Sequence, residues 1–286
     1  IDFETNLPLY MVDMGEYQKK AYNLIIQNLK NNTQNEKLPN FENLESFGYS
    51  LLQKPLESLN IVYPKMEIED LFDKDYSTLD KDLIKSKIYN LNNMDIVGKN
   101  GLRRIMNFET KMDGIKPIKF NYEYKPEIIS NYGRIFSKTV LPSYSSKISN
   151  ICNNVMKSKG IILIYSMYIE GGVIPIALAL EELGFTRYSS SSLSKPLFKE
   201  PPTDPIDSIH MKPKKDLKNV KFRPAQYVLV TGDVNFSHNN AEDMKMVTNS
   251  NNLDGSQIKV VIISKAASEG LDFKNIRQVH IMEPMV

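Results

Sequence analysis

The chain has 286 residues, a formal net charge of +2 and one cysteine, Cys152. A chain of this length can bury one good core, or one core with a looser subdomain. The small net charge excludes a global field that would attract a polyanion, so any nucleic-acid surface must be local. The single cysteine excludes an internal disulfide, and no apolar run approaches the ~18 residues that span a bilayer. We therefore expect a soluble, intracellular protein.

The first 115 residues predict helices with long connections. Apolar residues recur at helical spacing from Met14 to Leu29, after a capping box formed by Asp13 and Glu16. An Asn-rich linker at 31–35 ends this helix, and the residues that follow show weak periodicity. Residues 67–82 carry seven acids against two lysines, which favours a solvated surface helix.

From residue 145 the pattern changes to alternating helices and strands. Ser145 or Ser146 can cap a helix that stops at Gly160, a second helix stops at Gly184, and a third covers 241–247. Four runs rich in β-branched residues are predicted as strands: 161–165, 227–230, 258–263 and 278–282. This alternation predicts an α/β fold with a mostly parallel sheet and helices on both faces, preceded by a mostly helical region.

Three short segments follow predicted strands at their carboxyl ends. They are Tyr165–Ser166, Thr231–Gly232–Asp233, and the loop from Ser264 to Asp272. Small hydroxyl and glycine residues at these positions place backbone amides at the carboxyl edge of the sheet, where open α/β folds bind phosphorylated ligands. The sequence therefore predicts a binding site along this edge.

Residues 143–284 resemble the C-terminal RecA-like lobe of superfamily 2 helicases, and most closely the Snf2-like helicases of nucleocytoplasmic large DNA viruses, relatives of poxvirus early transcription factor and termination ATPases. The resemblance rests on the lobe entry at 145–148, motif IV at 162–166, a strand with its glycine at 227–233, and motif V at 264–272. The viral subgroup is matched by 168–172 and 178–184. Residues 1–30 resemble the segment that joins the two lobes.

The resemblance implies a role for each residue of these motifs. Ser264 and Lys265 would contact a nucleic-acid phosphate, and Ser166, Thr231 and Gly232 would add further backbone contacts. The ATP ribose and phosphates would be approached by two further residues, Gly270 and Asp272. Magnesium would be held with ATP through an N-terminal RecA-like lobe, which is an implied partner beside nucleic acid and the transcription machinery.

Several parts of a complete motor are missing from this sequence. It has no Gly-x-x-x-x-Gly-Lys-Ser/Thr phosphate loop, and it ends at Val286 before an arginine finger could follow. Because those parts supply the phosphate cradle and transition-state charge, we expect no ATP hydrolysis by this chain alone. Because the chain begins at Ile1 without a methionine, we expect it to be a fragment or a processed product. The expected divisions are a linker helix at 1–30, a helical accessory region at 31–142 and the truncated lobe at 143–286.

Alternative interpretations stay open at this point. A degenerate RecA-like module could serve only as a protein-interaction scaffold, whereas a Rossmann-like enzyme is weaker because no Gly-x-Gly-x-x-Gly follows a strand. His210, His238 and His280 lack ligand spacing, so we expect no metal site. The segment 206–223 holds six basic residues against two acids and reads equally as a solvated loop or a nucleic-acid contact. Cys152 lies on an apolar helix stripe and is expected to be buried and inert.

Overall fold

A five-stranded parallel sheet forms the centre of the molecule. The computed structural model describes residues 11–32, 49–72, 95–108, 121–190, 196–234, 236–267 and 272–283. The strands of the main sheet are β3 (Ile161–Ser166), β4 (Thr186–Tyr188), β5 (Gln226–Val230), β6 (Val260–Ser264) and β7 (Ile276–Ile281). They follow the order β4-β5-β6-β3-β7, and every neighbouring pair is parallel. The four predicted strands all lie in this sheet, so the predicted α/β architecture is confirmed.

The helices and a small hairpin complete the described elements. The helices are α1 (Glu16–Asn32), α2 (Tyr49–Asn60), α3 (Met66–Phe72), α4 (Gly98–Ile105), α5 (Pro126–Tyr132), α6 (Leu141–Tyr144), α7 (Ser146–Lys157), α8 (Ile174–Glu182) and α9 (Asn240–Val247). Strands β1 (Met106–Asn107) and β2 (Glu123–Tyr124) pair antiparallel. Within the described residues, no helix is both long and apolar enough to cross a membrane.

Both faces of the sheet are buried, because alternate side chains of its strands enter different cores. Ile162 and Ile262 belong to the larger core, which also takes in residues of α7 and α8. Their neighbours Ile161 and Ile263 belong to a second core with Met244 of α9. The predicted covering of both faces by helices is therefore confirmed, and it accounts for the mostly apolar central strands β3, β5 and β6, whereas the edge strand β7 alternates half-buried and exposed residues.

A serine cap begins α7, and a glycine-containing turn leads into α8. Ser145 is the N-cap of α7, and its hydroxyl accepts a hydrogen bond of 3.0 Å from the Ile148 amide, as the sequence predicted. Gly171 and Gly172 lie in a π-helical turn, Ile169–Val173, that leads into α8. A side chain at Gly172 would overlap the Ser166 hydroxyl. Gly172 therefore allows the turn to pack closely against the end of β3.

The helical region packs directly onto the sheet. Ile61, Tyr63 and Leu102 are buried in the same core as the central strands. Gln18 of α1 donates to the Ser58 carbonyl at 3.0 Å and accepts from the Ser146 amide at 3.1 Å, which ties α1 and α2 to the start of α7. The described part of the predicted accessory region thus shares a core with the predicted lobe, while the boundary at residue 142 stays a prediction.

Some local expectations were wrong. Helix α1 begins at Glu16 rather than after Asp13, so these two residues do not form a capping box. Helix α7 ends at Lys157, and Gly160 instead adopts a φ of 78° just before β3. Strand β4 was not predicted, since three half-buried residues give too short a pattern. Of the acidic segment 67–82, only the part in α3 belongs to the described residues.

Candidate functional site

The predicted binding residues meet at one edge of the sheet. Because β3, β5 and β6 are parallel neighbours, their carboxyl ends emerge on the same side. Ser166 and Ser264 are directly paired in the register of β3 and β6. Thr231 follows β5, which lies on the other side of β6. The sequence therefore placed these three residues correctly along a shared edge.

Gly232 and Ser264 form the closest junction at this edge. The Gly232 amide donates a hydrogen bond of 3.3 Å to Ser264 Oγ. Gly232 is exposed, whereas only 2% of Ser264 is exposed. A methyl group at Gly232 would come within 2.5 Å of Ala266 Cβ, so a larger residue there would displace the loop. The exposed Lys265 lies between these contacts and begins a short 3₁₀ helix, Lys265–Ala267.

Thr231 shapes the loop that follows β5. Its side chain is buried, and its hydroxyl accepts from the Asp233 amide at 3.2 Å. The Ser237 hydroxyl contacts the Thr231 hydroxyl at 2.8 Å and accepts from the Thr231 amide at 2.9 Å. Asn240 donates to the Thr231 carbonyl at 2.7 Å. Because these contacts occupy the polar atoms of Thr231, direct contact of its side chain with nucleic acid stays a prediction that its burial does not favour.

Ser166 is fully buried and belongs to a network around Glu283. Its hydroxyl donates to Glu283 Oε1 at 2.7 Å, and the Met167 amide donates to Glu283 Oε2 at 2.9 Å. The Asn60 amide group also donates to Glu283 Oε1. These contacts join the end of β3 to Glu283, which follows β7. A phosphate contact by Ser166 stays a prediction. The hydroxyl of Ser166 already donates its hydrogen bond to Glu283.

Comparison with known proteins finds partial similarity to viral proteins. No protein-family model matches the chain. The chain is 30% identical over 153 residues to termination factor NPH-I homologs of African swine fever virus, covering 49% of this chain and 20% of each relative. It is 24% identical over 189 residues to a protein of Acanthamoeba polyphaga mimivirus named as a candidate ATP-dependent RNA helicase, covering 59% of this chain and 32% of that relative. This partial similarity is consistent with a superfamily 2 helicase-like domain.

The chain covers only a small part of each of the relatives it matches. The chain spans 20% of the length of the termination factor homologs and 32% of the mimivirus relative. A second mimivirus protein named as a candidate ATP-dependent RNA helicase is 28% identical over 145 residues, again with 20% of its length covered. A helicase-related role is therefore supported, and the activity of any longer protein is a matter for proposal.

The two residues predicted to approach ATP lie on the segment that returns from β6 to β7. Asp272 is exposed, and its carboxylate is 3.6 Å from Lys274 Nζ, which is also exposed. Phe273, between them, is half-buried and packs against the second core. Gly270 lies outside the described residues. Nucleotide contact by either residue stays a prediction for this helicase-like domain.

The sequence did not point to three polar residues beside this edge, the buried Asn60 and Glu283 and the half-buried Lys147. Lys147 Nζ donates to Asn60 Oδ1 at 2.8 Å and to the Met282 carbonyl at 2.5 Å. Burial lowers the pKa of Lys147, and the nearby Glu283 carboxylate opposes that shift. Glu283 lies just beyond the end of β7, so its position after a predicted strand could have pointed to this edge. No sequence signal marked Asn60.

Histidines and acids do not gather into a metal site in the part of the chain that the structure describes. His210 Nδ1 lies 2.7 Å from Asp207 Oδ1, where it completes a loop rather than a cluster. Burial lowers the pKa of His280, whose Nε2 has no hydrogen-bond partner. That orphaned atom stands alone on β7, and a single nitrogen does not make a metal centre.

Proposed function

We propose that this chain is the second, C-terminal lobe of an ATP-dependent nucleic-acid helicase or translocase, and that it contacts the nucleic-acid backbone and the outer face of ATP. The observation that carries this proposal is the junction of Gly232 and Ser264 at the carboxyl edge of a parallel sheet. The similarity to viral proteins named as termination factors and helicases supports it.

Backbone contact follows from the chemistry of this junction. Gly232 is exposed and carries no side chain, so a sugar-phosphate backbone can approach the main chain closely. The exposed Lys265 ammonium adds one positive charge beside it. Such contacts fix the position of a strand without reading its bases. We therefore infer binding that is indifferent to sequence and weakened by salt.

ATP would bind at the same carboxyl edge, beside the segment that connects β6 to β7. ATP supplies the phosphoanhydride bond whose hydrolysis drives closure and opening of the two lobes. The exposed Asp272 carboxylate can accept a hydrogen bond from a ribose hydroxyl, and Gly270 is proposed as a second nucleotide contact. Because the described residues gather no set of metal ligands, we assign Mg²⁺ to the N-terminal RecA-like lobe.

The partners follow from this assignment. The N-terminal lobe would complete the ATP site, and the names of the termination factor homologs favour the transcription machinery of a virus as a further partner. The protein would then act inside the infected cell. A non-catalytic scaffold is not favoured, since the relatives are named for termination and helicase roles rather than for assembly.

Binding of a labelled single strand tests the proposed contact of Lys265 with the nucleic-acid backbone directly. Fluorescence anisotropy at low salt would compare the unmodified chain with Lys265→Ala, and with Lys138→Ala as a matched control on an exposed lysine elsewhere. We expect Lys265→Ala to weaken binding by about 3- to 10-fold on unrelated sequences and to lower the salt slope by about 1. The control should bind like the unmodified chain. Equal affinity for Lys265→Ala and the control would reject the proposed contact.

A further inference from the structure

The basic segment 206–223 lies at the edge of the sheet opposite the proposed site. The Ile206 amide donates to the Gly184 carbonyl at 3.0 Å, just before β4, and the Ala225 amide donates to the Ile206 carbonyl at 2.8 Å, just before β5. Ser208 Oγ donates to the Ser256 carbonyl at 2.9 Å, before β6. The loop therefore covers the amino ends of the strands, about 16 Å from their carboxyl ends for five-residue strands.

A buried carboxylate holds this loop in one conformation. Asp207 accepts hydrogen bonds from the backbone amides of Ile209 at 3.0 Å, His210 at 2.8 Å and Arg223 at 2.9 Å. Only 1% of Asp207 is exposed. Because both ends of the loop converge on one side chain, its cations are displayed from an ordered framework. Little conformational entropy of the backbone remains to be lost when a ligand binds.

The loop carries more positive than negative charge, although Arg223 also interacts with the carboxylate of Asp254 in a neighbouring turn. Residues 206–223 contain six basic residues and two acids, and all six basic side chains are exposed. One of the two acids is the buried Asp207, which is saturated by its own loop. Lys215 Nζ lies 3.9 Å from Asp204 Oδ2, but both side chains are more than 70% exposed, so this pair is weak.

The charge continues across the neighbouring turns. A methyl group at Gly255 would come within 2.7 Å of the Gly160 carbonyl, and one at Gly160 would lie 3.2 Å from Arg277 Cβ, so these three residues are adjacent. The nine exposed basic residues that share this edge are Lys157, Lys159, Lys212, Lys214, Lys215, Lys218, Lys221, Arg223 and Arg277. They are referred to together as the amino-edge surface.

A groove in the amino-edge surface combines cations with an aromatic ring. It has a volume of about 680 Å³ and is lined by Asp204, Pro205, Pro213, Lys214, Lys215 and Phe222. Phe222 is half-buried, so part of its ring faces the groove. Proteins that bind single strands pair a positive groove with aromatic rings on which bases stack. Duplex nucleic acid keeps its bases stacked internally and offers no base to such a ring.

We propose that the amino-edge surface is a second nucleic-acid site, which binds the backbone of a single strand on its lysines and seats one base against Phe222. The choice of nucleic acid as the polyanion rests on the proposed function. Because the two edges are about 16 Å apart, this site would hold a different stretch of the strand from the one at Gly232 and Lys265. An acidic protein segment is the rival ligand.

The first arm of the test removes charge from the loop. The triple variant Lys212→Ala, Lys214→Ala, Lys215→Ala would be compared with Lys19→Ala, Lys54→Ala, Lys138→Ala, which removes the same charge from exposed lysines outside the amino-edge surface. Binding to a labelled single strand of about 20 nucleotides, longer than a site of ~4–16 nucleotides, would be measured at about 50 and 200 mM salt. We expect the loop variant to lose about 10-fold in affinity and about 2 to 3 in salt slope.

The second arm tests the aromatic seat. Phe222→Leu should weaken single-strand binding by about 5-fold or more and leave binding to a duplex of the same length unchanged. Thermal unfolding would confirm that Phe222→Leu and the triple variant are folded. The inference is overturned if the loop variant matches its charge-matched control, or if Phe222→Leu weakens single strand and duplex alike.

Further outcomes separate this site from the carboxyl edge and from a protein ligand. If Lys265→Ala binds the strand normally while the triple lysine variant binds it weakly, the proposed contact at Gly232 and Lys265 is rejected and the proposed site on the amino-edge surface is supported. If both variants are impaired, their effects should multiply, because distant sites act independently. Displacement of the labelled strand by polyglutamate at equal charge concentration would overturn nucleic acid as the ligand, whereas resistance to polyglutamate would support it.

Discussion

Ser166 Oγ donates a hydrogen bond of 2.7 Å to Glu283 Oε1, and this contact joins the carboxyl ends of β3 and β7 across a buried network. Asn60 at the end of α2 donates to the same carboxylate oxygen, and Lys147 of α7 donates to Asn60 at 2.8 Å. The helical region, the first helix of the lobe and the sheet edge are thus connected through polar atoms. Such fully satisfied networks specify one arrangement of the elements around them.

Replacing Glu283 by glutamine should destabilise the fold by about 1–3 kcal/mol. Each carboxylate oxygen of Glu283 accepts from a donor, so an amide NH₂ in either orientation would face a donor and lose a hydrogen bond. Urea denaturation of Glu283→Gln measures the change. Glu242→Gln is the control, since Glu242 is exposed and pairs with Lys245 on the surface. A Glu283 variant no less stable than the control would show that the network contributes little.

Substituting Gly232 by alanine should weaken nucleic-acid binding more than it weakens the fold. The added methyl group would lie 2.5 Å from Ala266 Cβ, so the loop after β5 must shift away from Ser264. The double variant Gly232→Ala, Ala266→Gly removes the opposing methyl group and should recover most of the lost affinity. Anisotropy titrations of both variants and of Ala266→Gly alone provide the comparison. Failure of the second substitution to restore binding would mean that the steric contact is not the cause.

Asp207 should contribute stability that is lost in acid. Burial by itself raises the pKa of a carboxyl, but hydrogen bonds from Arg223 and His210 outweigh it and hold the pKa of Asp207 at about 2. Because this folded pKa is below the unfolded value of about 3.9, the stabilisation of ~2 kcal/mol is fully present above pH ~4 and disappears as the pH falls through 2. The difference in unfolding free energy between the unmodified chain and Asp207→Asn should therefore shrink between pH 5 and 2, in the window of roughly those two pKa values. A difference that stays constant over that range would contradict this assignment.

Cys152 should resist thiol reagents in the folded protein. It is buried in the largest core, and burial raises the pKa of its thiol to about 12. Since the thiolate is the reactive form, modification near pH 8 should be slower by orders of magnitude than for a free cysteine, whose pKa is about 8.5. Reaction with a chromogenic disulfide, with and without denaturant, measures the ratio. Rapid labelling of the folded chain would show that α7 opens readily.

Hydrophobic patterning was sufficient for the sheet. The runs around Ile162, Leu229 and Ile262 are apolar in a way that only strands buried on both faces require, and the intervening capped helices made those strands parallel. Parallel strands bring their carboxyl ends together, so the sequence could also locate the shared edge of Thr231 and Ser264. Strand β4 was not predicted because a three-residue segment is too short to show a hydrophobic periodicity.

Tertiary structure alone decided what the individual side chains do. Ser166 and Thr231 are small polar residues at strand ends, a pattern equally suited to binding a ligand or to closing a loop. Only the positions of Glu283 and Ser237, distant in sequence or hidden in an irregular loop, give these hydroxyl groups their internal partners. The placement of Lys212, Lys214 and Lys215 at the opposite edge was likewise invisible to the sequence, because the contacts that fix it, such as Ser208 to Ser256, join residues that no local pattern relates. Periodicity determined which residues are buried, and long-range hydrogen bonds determined which polar groups remain exposed to a partner.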